Sequence, residues 1–328
     1  MRILDAAAVD ELVDAEMVLD AIRRLFSLPV GPEGVGFGRI DLAHPNGWLR
    51  CLPGFIASED LLGFKVLHRT DGVGMRYAIY VHSLRSGELI GIVDALEITN
   101  LRTGAVSAVG TEALAPRDVE VAAIVGTGPV ARGQLRLLEM VRPASEVRVF
   151  ARTPEHRREF VDEMSRFVSG RLVEAPTLEA ALEDAQMITL ATKSSSPVLR
   201  AEHLRAGIHV NSVGPASRDR VEVDPQIFDS FDRVVCDSAD LVLDEAGDAY
   251  LAVTDHGFDP ERAENLFDVV SGTAPGRTKE EETTLFKSVG NGAQDLVVAG
   301  RMLQLATAAG VGTVVDDSSS IKPIAGER

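Results

Sequence analysis

The spacing of apolar residues changes character along the chain. Over residues 15–26, Val18, Ala21, Ile22 and Leu25 fall at i, i+3, i+4 and i+7, which predicts an amphipathic helix stopped by Pro29. Residues 31–38 are rich in Gly and Pro and read as a loop. Short extended runs follow at 48–52, closed by Pro53-Gly54, and at 62–68. Two more, 76–84 and 88–95, flank a Ser86-Gly87 turn. A helix over 97–114 comes next, with Leu101, Ala105, Ala108 and Val109 on one face and Ala115-Pro116 at its end.

Beyond Val119 strands and helices alternate. Apolar runs at 121–125, 147–150, around Leu172, 187–191, 209–213 and 234–236 read as buried strands. Between them lie a helix over 130–141 and another opened by Thr153 as cap and Pro154 at the first helical position. This rhythm predicts an α/β fold, a Rossmann-type doubly wound parallel sheet joined to a β-rich domain. The expected division is 1–118 for the β-rich domain and 119–290 for the dinucleotide-binding domain. The segment 291–328, with a helix over 292–309, returns to the first domain. Glu280, Glu281 and Glu282 read as a solvated helix start, and the polar, Ser-rich tail from Asp316 is expected to be mobile.

Composition removes several function classes. Thirty-three Lys and Arg against fifty Asp and Glu leave a net charge of −17. Such a surface repels nucleic acid and anionic membranes. No apolar run approaches the ~18 residues of a membrane span, and the first 13 residues carry acids without an apolar stretch, so a cytoplasmic protein without a signal peptide is expected. Cys51 and Cys236 make no disulfide framework, and with no His/Cys cluster no metal is expected.

The chemistry begins at Gly126-x-Gly128-x-x-Ala131, placed directly between a strand and a helix. The first Gly allows the tight turn, the second lets backbone approach a pyrophosphate, and the small third residue packs helix on strand. Gly126, Thr127, Gly128, Pro129 and Val130 are therefore the expected cradle, at a helix N-terminus suited to negative charge. The second strand ends Val149-Phe150-Ala151-Arg152-Thr153, with no acid to bind a ribose 2′-hydroxyl. Arg152, Thr153 and Arg157, with Arg158 nearby, suit a 2′-phosphate, which favours NADP(H) over NAD(H). There is no Ser-His-Asp order, no HExxH and no Walker lysine.

Several blocks together resemble the ornithine cyclodeaminase/mu-crystallin family. They are Gly63-Phe64-Lys65-Val66, Ser86-Gly87-Glu88 with Asp94-Ala95, Thr99-Asn100-Leu101-Arg102-Thr103-Gly104-Ala105, and Val125-Gly126-Thr127-Gly128 with Ala131 and Gln134. Then come Val213-Gly214, Glu222-Val223-Asp224, and Thr284 through Gly290 with Asp295. The order and spacing of these blocks, from Arg39 to Asp295, carry the resemblance. It implies that the β-rich domain binds substrate and forms a homodimer, and that a nicotinamide cofactor serves chemistry on small amino or α-imino acids. It also implies cofactor contacts from Arg102, Thr103, Ala191, Thr192, Val213, Gly214, Ser288 and Gly290. Lys65 and Arg102 are implied as catalytic, and Arg39, Arg50, Lys65 and Arg102 as substrate-binding. A guanidinium grips a carboxylate bidentately, and a desolvated lysine suits proton transfer to an imine.

Two departures narrow the expectation. Cyclodeaminases of the family carry an aspartate two residues beyond the Gly of Val213-Gly214; here that position is Ala216, and Asp219 is the nearest acid. Ornithine enzymes place a glutamate where this chain has Arg50, which repels an ammonium and attracts a carboxylate. Arg39, Arg50, Lys65 and Arg102, with His44, His68 and Arg69 as further candidates, suggest a dicarboxylic imine such as iminosuccinate. Trp48 reads as packing or pocket lining, and Asp295 as a helix cap or a partner of Lys65. The expectation is NAD(P)H-dependent reduction of an α-imino acid, or the reverse dehydrogenation. A cyclodeaminase or opine-like synthase and a mu-crystallin-like binding protein are the alternatives.

Overall fold

The computed structural model describes residues 1–214 and 216–316, and two sheets organise it. The first is mixed and eight-stranded. Its order is Thr313–Val314, Arg2–Leu4, Leu89–Asp94, Gly74–Ser83, Leu61–Thr70, Gly47–Ile56 and Val35–Phe37, with Ile40–His44 also paired to Gly47–Ile56. The second is wholly parallel, in the order Arg171–Glu174, Ala144–Phe150, Val119–Val125, Met187–Leu190, His209–Ser212, Thr284–Lys287, Arg233–Cys236 and Ala263–Asn265. Strand order reverses between Val119–Val125 and Met187–Leu190, the switch point where doubly wound sheets open a ligand crevice.

Several elements differ from the sequence reading, each for a physical reason. Pro53 does not end its strand, which runs on to Ile56. The Pro53 carbonyl accepts from Gly38 N at 3.1 Å, so its own nitrogen faces the gap between the neighbouring strands Val35–Phe37 and Ile40–His44, where no donor is needed. The Gly/Pro-rich stretch contains strand Val35–Phe37. Glu280–Glu282 is turn rather than helix start, and Thr284–Lys287 is a fully buried strand inside the parallel sheet. Helix Leu96–Leu114 is buried on nearly every side, not on one stripe, because it is wedged between the two sheets. The expectation for the tail beyond 316 lies outside the described residues.

Helix Gly292–Ala309 follows the parallel sheet in sequence but packs on the first sheet, against Gly47–Ile56, Leu61–Thr70 and Gly74–Ser83. The largest apolar core is shared by the two halves. It runs from Ile22 and Phe26 through Leu101, Ala105 and Val106 to Phe267 and Phe286, and the Phe26 and Phe267 rings lie 4.5 Å apart. Helix Leu96–Leu114 crosses helix Pro129–Val141 at Gly104 and Gly133; a Cβ on Gly104 would meet the Gly133 carbonyl, and one on Gly133 the Asn100 carbonyl.

A polar seam joins the same helix to the parallel sheet. His209 is fully buried, with Nδ1 2.8 Å from Thr284 Oγ1 and Nε2 3.3 Å from Thr111 Oγ1. Asn211 Nδ2 donates to Thr111 Oγ1 at 2.9 Å. Burial, and then the Arg277 charge, push the imidazole down to about 3, so it is neutral in the fold. The unfolded chain binds this proton first as pH falls. The stabilisation is therefore full above about 6.5 and drains away between about 6.5 and 3. Urea unfolding across pH 7 to 4 should show His209→Gln losing stability less steeply than the wild type, by up to about 1.4 kcal/mol per pH unit. Parallel slopes would refute the assignment.

Candidate functional site

The site lies where the inner face of the first sheet meets the C-terminal ends of the parallel strands. Alternation along Leu61–Thr70 and its pairing partners put Lys65, Leu67, Arg50, Leu52 and Tyr77 on the inner face. Lys65 is fully buried. Its ammonium donates to Asp295 Oδ1 at 2.9 Å and to Thr99 Oγ1 at 3.2 Å, and lies 6.0 Å from the centre of the Tyr77 ring. Arg102 Nε donates to the same Asp295 oxygen at 3.1 Å, and Arg102 Nη1 to Gln294 Oε1 at 2.8 Å. Arg102 Nη2 makes no hydrogen bond among the described residues, where the guanidinium donates only through Nε and Nη1, and Asp295 Oδ2 is buried without a partner. Burial lowers the Lys65 ammonium to about 8; Asp295 opposes the shift and Arg102 adds to it. Asp295 thus partners Lys65 and Arg102 within the first turn of its helix, while Asn291 is the residue that caps it.

The other expected cations are nearby but engaged. Arg39 pairs with Glu245 and donates to the carbonyls of Val289 and Gly290, the latter at 2.6 Å, so it ties the first sheet's edge to the parallel domain. Burial, followed by the Arg50 charge, lowers it to about 10. Arg50 is gripped by both oxygens of Asp41, at 2.6 and 2.7 Å, and lies 5.9 Å from the centre of the Trp48 ring. Its charge is matched within the protein. His44 and His68 fall on the outer strand face by alternation and do not join the cluster; Arg69 shares the inner face but pairs with Asp71 at 3.0 Å. Asp219 does not enter the cleft either. It is exposed, bonded to Ser217 and 3.6 Å from Arg220. The Ala216 carbonyl lies 3.5 Å from Arg50 Nη1, and Pro215 is outside the described residues.

The glycine loop fits a dinucleotide. Gly126 has φ +115, and a Cβ there would meet the Ala191 carbonyl. Gly128 is the N-cap of helix Pro129–Val141, with nothing within 4 Å of an added Cβ: open space in front of the free first-turn amides of Val130 and Ala131. Thr127 is pinned through its carbonyl by Arg132. Thr103 Oγ1 donates to Thr99 O at 2.7 Å, inside its own helix. At the end of strand Ala144–Phe150, Arg152 is exposed and makes no ion pair among the described residues, and Thr153 is exposed at the N-cap without a capping bond. Arg157 is not a free cation. It is buried, donates to Ala151 O at 2.6 Å and lies 3.7 Å from Glu174, holding the loop instead of presenting its charge.

Sequence reasoning missed the buried carboxylates that set these loops. Glu222 Oε1 accepts from Thr192 N and Thr192 Oγ1 at 2.6 and 2.8 Å, and its Oε2 from Gly214 N and Ser212 Oγ at 2.8 and 2.9 Å. One side chain therefore fixes the loops after Met187–Leu190 and His209–Ser212, while Val213 N returns to Leu190 O at 3.0 Å. Lys287 donates to Ser212 Oγ at 2.8 Å and Asp248 Oδ2 at 2.7 Å beneath them. Asp237 holds Ser288, Val289 and Gly290 in the same way. The usable signal was charge at the ends of apolar runs: Lys287 after Leu285-Phe286, and Asp237 after Val234-Val235-Cys236. Glu222→Ala strands four donors in a dry site and should cost about 3 kcal/mol in urea unfolding. A loss below about 1 kcal/mol would mean that water replaces the carboxylate.

Comparison with known proteins finds relatives over most of the chain. The ornithine cyclodeaminase/mu-crystallin family model matches residues 35–307. The ketimine reductase mu-crystallin of Macropus fuliginosus is 31% identical over 267 residues, 79% of this chain and 81% of that protein. A Delta(1)-pyrroline-2-carboxylate reductase of Bacillus thuringiensis subsp. konkukian is 27% identical over 286 residues, 85% of this chain and 88% of that one. The structure of Thermococcus litoralis Delta(1)-pyrroline-2-carboxylate reductase in complex with NADH and L-proline matches with a TM-score of 0.85 at 29% identity, covering 96% of this chain and all of that one. With the glycine loop, the Lys65–Asp295–Arg102 cluster and the match over residues 35–307 all in place, the chain belongs to the ornithine cyclodeaminase/mu-crystallin family.

Proposed function

We propose that this protein is an NAD(P)H-dependent reductase of small α-imino acids, working in reverse as an amino-acid dehydrogenase. The observation that carries the reading is the buried Lys65–Asp295–Arg102 cluster, set beside a glycine loop with open space over its helix N-terminus. Gly126 through Val130, Thr192, Gly214 and the 288–290 loop are the residues that would hold the dinucleotide. Arg152 and Thr153 lean the choice toward NADP(H). A bound nicotinamide supplies the hydride for the imine carbon.

The chain's own residues do the rest. Arg102 offers Nη2 to the substrate carboxylate, which fixes the imine carbon in place. As the C=N electron pair moves onto nitrogen, Lys65 supplies the proton from Nζ. Asp295 keeps that proton on an otherwise desolvated amine, and the buried walls exclude water. Arg50 is already matched by Asp41, which favours a substrate with one carboxylate; a dicarboxylic imine would have to displace Asp41. With Ala216 at the aspartate position and Asp219 turned outward, the cyclodeaminase alternative has no acid in place.

The test is oxidation of NADPH or NADH by a cyclic imino acid, and by oxaloacetate or pyruvate with ammonia. Turnover of the cyclic imine or of pyruvate with ammonia supports one carboxylate; oxaloacetate with ammonia alone would restore the dicarboxylic reading. Silence across the panel would end the reductase assignment. Lys65→Ala should lower kcat at least ~100-fold, whereas a raised KM with normal kcat would make it a binding residue. Reduction needs Lys65 protonated, so wild-type kcat/KM should fall as pH rises through about 8, and the reverse oxidation should gain over the same range.

The same reading includes a homodimer built on the outer face of the first sheet. Phe55, Leu62, Phe64, Val66, Tyr80 and Ile92 share that face, and the Phe64 and Tyr80 rings stack at 4.9 Å while staying only half-buried. An apolar sheet face of this kind needs cover. Light scattering should give twice the chain mass for wild type and one chain mass for Phe64→Asp; a monomeric wild type would overturn the dimer.

A further inference from the structure

Asp237 follows strand Arg233–Cys236 and is fully buried. Its Oδ2 accepts from Gly290 N at 2.8 Å, Ser288 Oγ at 2.9 Å and Gln294 Nε2 at 2.9 Å, and its Oδ1 from Val289 N at 3.1 Å. The three loop contacts close the 288–290 turn. The fourth reaches out of the turn into helix Gly292–Ala309, and it has a direction. A primary amide has one donor end and one acceptor end. With Nε2 committed to the Asp237 carboxylate, Oε1 of Gln294 must face the other way, where it accepts from Arg102 Nη1 at 2.8 Å. The reversed amide would set oxygen against carboxylate and NH2 against guanidinium, both repulsive. The charge on Asp237 therefore selects the Gln294 orientation that Arg102 requires.

Arg102 is thus held on two edges: by Gln294 at Nη1 and by Asp295 at Nε, 3.1 Å away. The Asp237-held turn also forms the wall beside it. Gly290 has φ +77, and a Cβ there would lie 2.6 Å from Arg102 Nη1. What remains is Nη2, without a protein partner among the described residues.

We propose that Asp237 is a positioning residue that, through the Gln294 amide, turns Arg102 so that Nη2 meets the carboxylate of the substrate. The proposal rests on the reductase reading for its substrate, but its signature is carboxylate affinity and can be read without turnover.

The probe is pyrrole-2-carboxylate, a flat carboxylate that cannot be reduced as an imine can, with pyrrole-2-carboxamide as its neutral control. Both are titrated calorimetrically into the full chain saturated with NADPH, for wild type, Gln294→Met, Asp237→Asn and the double variant. Gln294→Met leaves Asp237 its three loop donors, so it keeps the test alive if Asp237→Asn fails to fold. The carboxylate Kd should weaken roughly tenfold in each single variant, the scale of one loosened charge-assisted hydrogen bond. The double variant should be no worse than about twice the weaker single, since both act on one chain of contacts. The carboxamide affinity should stay within about twofold throughout, and the NADPH affinity within about twofold in Gln294→Met, which leaves the Asp237-held 288–290 loop intact. Equal weakening of carboxylate and carboxamide, full additivity, or an unchanged carboxylate Kd would each overturn the relay, as would a wild type that ignores the carboxylate. Imine turnover by wild type with normal carboxylate binding in Gln294→Met rejects the relay and leaves the reductase reading intact. The expected Kd pattern without any imine turnover does the reverse.

Discussion

At the crossing of helices Leu96–Leu114 and Pro129–Val141, Gly104 lies on Gly133 with no room for a methyl group. One helix carries Thr99 and Arg102; the other begins at the glycine loop. Their contact sets the distance between the Arg102 cluster and the glycine loop, and any side chain at the crossing would change it. Because Leu96–Leu114 is also buried against both sheets, it cannot shift toward one without opening a void against the other. The cleft is therefore framed by packing before any polar contact is made.

Within that frame, polar groups are arranged so that few buried charges stand alone. One oxygen of Asp295 serves both Lys65 and Arg102, Glu245 serves Arg39, and Asp41 serves Arg50. A buried cation without a partner would cost several kcal/mol or lose its proton. Here the compensation is partial at Lys65, whose ammonium drops to about 8, a range useful for proton transfer near neutral pH. Asp237 and Glu222 serve backbone amides instead, holding the loops at the strand ends. The site thus has two kinds of carboxylate: some tune charge, and others set loop shape.

The acidic surface and this cationic interior are complementary features of one chain. A net charge of −17 does not describe the cleft, where the charges of Arg50 and Arg102 help to lower the proton affinity of Arg39, and those of Arg102 and Arg39 that of Lys65. An anion responds to the local field, not to the sum.

The sequence by itself determined the α/β class, the glycine loop and the family, because each is written in local order: alternating elements, Gly126-x-Gly128 after an apolar strand, and blocks at fixed spacing. It also placed Lys65 and Arg102 together, through the resemblance. Only the tertiary structure decided which cations are free. Arg157 is turned back from its helix onto the Ala151 carbonyl, while Arg50 is matched by Asp41 nine residues earlier and His68 faces outward, the last two being consequences of strand alternation and register rather than composition. It alone brought Asp237 to Gln294 and Gln294 to Arg102, residues 57 and 192 positions apart. No local pattern could carry that information, since the pairing exists only where a parallel strand end, a returning helix and a wedged helix converge.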